Sequence, residues 1–430
     1  MTIKNEQNVP KLRFKGFADS WEQHKFGDVF NVLQNNTLAR DQLDKSIGAA
    51  KNVHYGDVLI KYGEVTKAAE LVHEYIAPVT ANKFKSSFLS DGDIVFADTA
   101  EDETAGKCTE IIEVGIQKVI SGLHTIPCHP KEVFAGGFLG FCLNSPSFHD
   151  QLLSLMQGAK VTSISKSALN TTFICYPKLM EEQKMIGATL LSLNTLITLH
   201  QCKLSKLQDL TKALLAKMFP SEGEDVPAVR FKGFTDAWGH RKLGDFSIKV
   251  ISKNTNHIIN ETLTNSAEEG IISQSDYFDR QISNDDNVDG YYVVDPDDFV
   301  YNPRISTKAP VGPINRNRLG RKGIVSPLYT VFRSDDTVNK LFLEYYFKTA
   351  CWYPFMRYNG DSGARSDRFS IKNELFFSMA LCLPSLDEQE RIGKLLDQVD
   401  NLITLHQRKL AKLKNIKKAL LNEMFPGGDN

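Results

Sequence analysis

The sequence predicts an α+β protein: two mixed α/β domains joined by two long antiparallel coiled-coil helices, together a pseudo-twofold tandem duplication. Three observations lead there. The stretch Glu182–Pro220 returns without a gap at Glu388–Pro426, with L-I-T-L-H-Q identical in both copies. A second repeated stretch, PKLRFKGFADSWEQHKFGD from Pro10 and PAVRFKGFTDAWGHRKLGD from Pro227, precedes each globular region. Between these anchors lie weaker matches that keep one common offset: GDIVF at Gly92 and DDFVY at Asp297 are 205 residues apart, as are the next two pairs.

The first repeat carries a helical seam. Ile186, Leu190, Leu193, Ile197, His200, Leu204, Leu207, Thr211, Leu214 and Met218 recur at alternating steps of four and three. The second copy places Ile392, Leu396, Val399, Ile403, His406, Leu410, Leu413, Lys417, Leu420 and Met424 in the same phase. That spacing describes a helix with one apolar stripe, made to pack lengthwise on another helix. At about 1.5 Å per residue each would reach close to 60 Å. Pro220 and Pro426 stop both copies at the same phase. His200 and His406 are polar sites within the seam. They are read as a buried device fixing register of the helix pair, in preference to a metal pair, because no carboxylate or Cys stands near them at ligand spacing.

Expected bounds are 10–178 for the first globular domain, 179–220 for the central helix, 227–383 for the second domain and 384–426 for the C-terminal helix. In the first domain, strands are expected at Asp57–Tyr62, Gly92–Ala97, Val119–Ile126 and Phe173–Tyr176, with helices over Phe138–Leu143 and Ser147–Met156. The second domain follows the same order, with Asp297–Tyr301 matching Gly92–Phe96 and Ile324–Val331 matching Val119–Ile126. The repeated R-F-K-G-F segments read as aromatic docking anchors. Their basic residues Lys11, Arg13, Lys15, Arg230 and Lys232 would lie on a solvated edge beside the anchor, the reading preferred over phosphate contact.

Composition is that of an ordinary globular protein, with 42% hydrophobic and 24% charged residues in 430. The formal net charge is −1. A protein that gripped nucleic acid alone over a wide face would be more basic, so positive charge must be local or shared with partners. Seven scattered cysteines without a C-x-x-C pair argue against a disulfide framework and a zinc site. With an N-terminus that lacks an apolar signal core, they suit a cytoplasmic protein.

No catalytic constellation stands out. Asn302-Pro303-Arg304 lacks the second proline of an amino-methyltransferase motif, and no Gly-rich cofactor loop accompanies it. Asp295-Pro296-Asp297-Asp298 lacks the E-x-K that completes a nuclease cluster, so it reads as an acidic turn before a strand. Phosphate-loop and nucleophile-elbow motifs are missing as well.

What remains are polar and basic loops. Lys160, Thr162, Ser163, Ser165 and Lys166 cluster in the first domain, and Arg365, Arg368 and Ser370 occupy the matching place in the second. Arg304, Lys308, Arg316, Arg318, Arg321 and Lys322 crowd a further loop. Arginine and lysine serve guanine edges and phosphates, with hydroxyls filling in. These residues are the DNA-binding candidates. No catalytic residue and no metal ligand is expected. An adaptor that pairs two protein-binding domains on a coiled coil is the competing reading.

The paired E-Q-x-x-I-G…L-I-T-L-H-Q-x-K-L…K-A-L-L-x-x-M-F-P and R-F-K-G-F-x-D-x-W blocks resemble the specificity (S) subunit of type I restriction–modification enzymes, over nearly the whole chain. The resemblance implies that each globular part is a target recognition domain reading one half of a bipartite, asymmetric double-stranded DNA site. It implies helices that act as a spacer, plausible for half-sites near one turn apart, about 34 Å. It also implies a non-catalytic subunit that docks two methyltransferase (M) subunits and is joined by restriction (R) subunits. No cofactor is then expected on this chain; S-adenosylmethionine, ATP and Mg belong to the partners.

Overall fold

The two apolar seams form two helices of equal length, Met180–Lys217 and Leu386–Glu423. Glu181 and Glu182 lie in the first turn of one, Asp387 and Glu388 in the first turn of the other, where the positive end of the helix dipole favours them. Every seam position is buried or half-buried, from Ile186 to Met218 and from Ile392 to Met424. His200 and His406 are both half-buried in that phase.

This is a computed structural model, and it describes residues 8–158, 160–255, 257–277, 288–362 and 367–427. The chain forms two compact units. One is Met1–Gln201 with Arg408–Asn430, and the other is Cys202–Gln407. Each unit therefore holds its globular part, the first half of the helix that follows it, and the last part of the other helix.

In the first unit the R-F-K-G-F segment is an internal buckle. Trp21 is buried edge-on to Phe138 and Phe425, at 6.2 and 6.1 Å between ring centres. The Leu12 N–H donates to the Glu423 carbonyl at 2.9 Å, so the end of the second long helix lies against the docking segment. The strand Glu22–Lys25 then pairs antiparallel with Phe173–Tyr176. A five-stranded sheet runs Phe30–Val32, Thr125–Pro130, Asp93–Ala97, Cys108–Ile112, Val65–Lys67, with only the last pair parallel. A three-stranded sheet places Ala50–Val53 between Tyr75–Ile76 and Val119–Ser121.

Two expected strands need correction. Residues 57–60 belong to a helix, Tyr55–Ile60, which ends at Lys61. His54 caps it by accepting from the Gly56 N–H at 3.2 Å, and Asp57 pairs with Lys61 one turn on at 2.9 Å. The apolar run misled because Ile60 is 85% exposed while Val58 is buried, a helical and not an alternating pattern. Residues 119–126 are two strands, Val119–Ser121 and Thr125–Pro130, parted by a turn in which His124 adopts φ of 56°. The matching run in the second unit divides likewise, into Gly323–Val325 and Thr330–Ser334 around Pro327.

The second unit repeats the buckle. Trp238 packs edge-on to Phe219 and Phe342, and the Val229 N–H donates to the Lys217 carbonyl at 2.9 Å. The strand Gly239–Lys242 pairs with Ala380–Leu383. The central sheet has four antiparallel strands, ordered Ser247–Lys249, Thr330–Ser334, Phe299–Tyr301, Ile314–Arg316. Behind it an aromatic core gathers Phe299, Phe332, Phe342, Tyr346, Phe347 and Trp352.

The E-Q-x-x-I-G signature is structural in both units. Arg13 grips Glu182 through Nε and Nη2, at 2.6 and 2.9 Å, and Arg230 grips Glu388 in the same way at 2.9 and 2.7 Å. These two arginines thus lie neither on a solvated edge nor open to phosphate. Lys11, Lys15 and Lys232 remain exposed. Gln183 accepts from the Ala135 N–H and donates to the Pro177 carbonyl, while Gln389 bridges Asn339 and Pro384 identically. A Cβ on Gly187 or Gly393 would come within 3.2 Å of the Phe138 nitrogen or 2.9 Å of the Phe342 nitrogen, so each helix starts in close backbone contact with its domain.

Candidate nucleic-acid interface

The common offset of the two halves has a direct structural meaning. In the first unit Thr99 and Ser163 face each other across a short antiparallel pairing. In the second unit Arg304 and Arg368, 205 residues further along, form the equivalent antiparallel bridge. The same two loops thus meet in both units and carry different chemistry.

The first-unit loop is held from below. Ile164 is buried and its N–H donates to the Asp98 carbonyl at 2.8 Å. Gln157 and Ser163 exchange backbone hydrogen bonds at 3.1 and 2.9 Å. Gly158 turns the chain at φ of 112°, and a Cβ there would strike the Val161 carbonyl oxygen. Thr162 spends its hydroxyl on the Ala100 and Asp102 carbonyls. Lys160, Ser163, Ser165 and Lys166 stay exposed, with Ser165 capping the short helix Lys166–Leu169. His124 joins them from the neighbouring turn, with Asp98 against its Nδ1 at 3.3 Å.

The second-unit loop uses the same device with Phe369 as the buried anchor. Its N–H donates to the Pro303 carbonyl at 2.7 Å, and the Ile305 N–H donates to Asp367 at 2.9 Å. Ser370 and Asp361 exchange backbone bonds beside it. The side chains of Arg304, Arg368 and Ser370 are exposed there. Arg365 lies outside the described residues.

The remaining basic candidates divide differently from a single basic crowd. Arg316 contacts Asp297 at 2.5 Å and Glu344 at 2.9 Å. Arg318 contacts the same Glu344 at 2.7 Å and Asp397 at 2.8 Å. Glu344 is buried, so both guanidiniums belong to an internal network that neutralises it. Arg321 lies on Glu261, Lys322 on Asp295 and Lys308 on Glu268. The acidic turn is structural as well: Asp298 is buried against Arg333 at 2.6 Å, and Lys322 and Arg333 hold Asp295 below the ordinary carboxylate range.

Sequence reasoning missed the Arg–Glu buckles, whose partners stand 169 and 158 residues apart and leave no local signal. It also passed over four outward leucines inside the identical L-I-T-L-H stretch. Leu196 and Leu199 in the first unit are each 45% exposed, and Leu402 and Leu405 in the second are each 44% exposed. Their presence in both copies was visible; their position off the seam was the signal.

Comparison with known proteins agrees with this architecture. Residues 237–415 match the Type I restriction modification DNA specificity domain. Over 98% of this chain and 96% of the relative, the chain is 22% identical to a protein assigned as the type I restriction enzyme MjaX specificity subunit of Methanocaldococcus jannaschii. The crystal structure of a type I restriction-modification system S subunit from M. genitalium superposes with a TM-score of 0.62, at 12% identity, covering 97% of this chain and 99% of that one. That likeness fixes the fold. Residues 237–415 thus resemble a type I restriction–modification DNA specificity domain, and over nearly its whole length the chain is similar in sequence and fold to specificity subunits of such systems.

Proposed function

We propose that this chain reads DNA sequence for a type I restriction–modification complex, one half-site per unit, without catalysing a reaction itself. The observation that carries the reading is the equivalent loop pair, filled by Thr99 and Ser163 in one unit and by Arg304 and Arg368 in the other. One scaffold presenting two chemistries at matched positions is what an asymmetric bipartite site requires. Arginine forks address guanine N7 and O6, and each such contact is worth about 1–3 kcal/mol of discrimination. Hydroxyls and lysines around Ser163 and Lys166 suit mixed base and phosphate contacts.

The outward leucines support docking of methyltransferase subunits. Half-exposed leucines at the same phase of both helices offer apolar surface of the kind partner proteins cover. S-adenosylmethionine, ATP and Mg would be carried by the methyltransferase and restriction subunits. The near-neutral charge of the chain fits a reader whose partners supply much of the phosphate clamp.

The test is co-expression with the methyltransferase subunit of the same locus, followed by methylome sequencing. One bipartite methylated motif is expected. A stable complex that methylates no motif would remove the DNA-reading role and leave a scaffold.

A further inference from the structure

The duplication provides an internal control for a feature found in only one unit. His240 and Cys382 are direct cross-strand partners in the pairing of Gly239–Lys242 with Ala380–Leu383, so their side chains share one face. Asp225, from the segment entering the unit, is brought to the same face because its carbonyl accepts the Trp238 N–H at 2.8 Å. Its carboxylate Oδ1 stands 2.7 Å from His240 Nε2 and 3.9 Å from Cys382 Sγ. The three ligand atoms lie within 4.8 Å of one another, and among the described residues this is the one such group.

The first unit has the same backbone arrangement with other side chains. Gln23 pairs with Cys175 as His240 pairs with Cys382, and the Asn8 carbonyl accepts the Trp21 N–H as Asp225 accepts that of Trp238. The fold thus accepts Asn, Gln and Cys at these three places. Asp, His and Cys in the second unit are a change of chemistry beyond what the backbone demands, and the change is toward ligands on two of three positions.

We propose that Asp225, His240 and Cys382 bind one divalent cation of the zinc class. Thiolate and imidazole together select a borderline-soft metal over magnesium or calcium, and a carboxylate completes three protein ligands with a fourth position open to water. Tetrahedral bond lengths of about 2.0–2.3 Å place neighbouring ligand atoms about 3.3–3.6 Å apart. The Asp225–His240 contact opens by less than an ångström to reach that, and both side chains are at least half exposed and able to turn. Binding exchanges the His240–Asp225 hydrogen bond for two metal bonds and releases the Cys382 proton to water. Burial, reinforced by Asp225, pushes that thiol up to about 12, and a coordinated cation of this class removes such a proton outright. The site would clip the entering segment to the strand pair beneath Trp238. This inference does not depend on the DNA-reading role.

Cobalt(II) titration of the chelator-treated full chain tests it. One equivalent is expected, with a thiolate-to-cobalt charge-transfer band that zinc abolishes by displacement. Cys382→Ser loses the band, while Cys175→Ser and Cys202→Ser keep it. Asp225→Asn and His240→Gln, which copy the amides of the first unit at exposed positions, weaken binding by at least the about 10- to 100-fold that even a supporting contact is worth in a metal site. A folded wild-type chain with no charge-transfer band overturns the proposal, as does a band that survives in Cys382→Ser or an affinity unmoved by both amide variants.

Discussion

Arg230 and Glu388 form a two-pronged ion pair that duplicates Arg13 and Glu182 atom for atom, Nε to Oε1 and Nη2 to Oε2. In both, the carboxylate sits in the first turn of a long helix and is almost wholly buried, at 1% exposure. The arginine comes from the repeated R-F-K-G-F segment, so a motif that looks like surface charge is the fastener between docking segment and helix. Removing one partner leaves a buried charge without compensation, which costs about 3–5 kcal/mol. Arg230→Met is therefore expected to lower the unfolding free energy of the second unit, read by urea denaturation, by that amount. A loss under about 1 kcal/mol would mean that water reaches Glu388 once the arginine is gone.

Glu110 gives the first unit a pH dependence. It is buried at the start of the helix Phe138–Leu143, where the Gly137 and Gly140 N–H groups donate to it at 2.7 and 2.8 Å. Burial outweighs those donors and pushes it up to about 7. The folded state then holds a proton that the unfolded chain gives up near pH 4.5. Its stabilisation is complete below that value and is lost as pH rises through about 7. The first unit should be weaker at about pH 8 than at about pH 5, by an amount on the order of 3 kcal/mol. Trp21 fluorescence in a chain lacking the other two tryptophans reports that unit. Glu110→Gln should flatten the difference, and an equal slope in that variant would assign it to other groups.

The loop residues and the network residues predict opposite phenotypes. Arg368→Ala and Arg304→Ala should cut methylation at native sites by about 10- to 100-fold while the complex still assembles, the size of one lost bidentate base contact. Arg318→Ala removes a partner of buried Glu344 and should instead lower the unfolding midpoint of the second unit without changing the recognised motif. Methylome sequencing beside thermal unfolding separates the two, and a motif altered by Arg318→Ala would move that residue to the interface.

The contrast marks where sequence stopped being informative. Repetition located both helices, both docking segments and, through the shared offset, the loops that carry Ser163 and Arg368. Spacing along one helix is enough to identify a seam, because the partner face repeats with the same period. Charge pairing has no such period. Nothing local distinguishes Arg318, which turns inward to Glu344, from Arg304, which points out. The Asp225, His240 and Cys382 group was equally hidden, its members joined by a strand register and not by a short motif. At Tyr55–Ile60 a cap from His54 overrode an apolar run that reads as a strand.

The outward leucines separate assembly from reading. Leu199→Lys and Leu405→Lys place a charge on this apolar surface and touch no seam position. Neither should lower the unfolding free energy by more than about 0.5 kcal/mol, as expected of a surface change. Both should abolish co-purification of the methyltransferase subunit. Retention of the complex in both variants would free this face from the assembly role.

The division of the chain reverses the usual order in which domains mature. The first unit needs Arg408 onward: Phe425 closes over Trp21 and Phe138, and Lys417 neutralises Glu64 at 2.7 Å. The second unit is one continuous stretch, Cys202–Gln407. Emerging from the ribosome, the domain made first must wait, with its aromatic slot open, until the domain made second has left the tunnel. The earlier half of the molecule is the last to be finished.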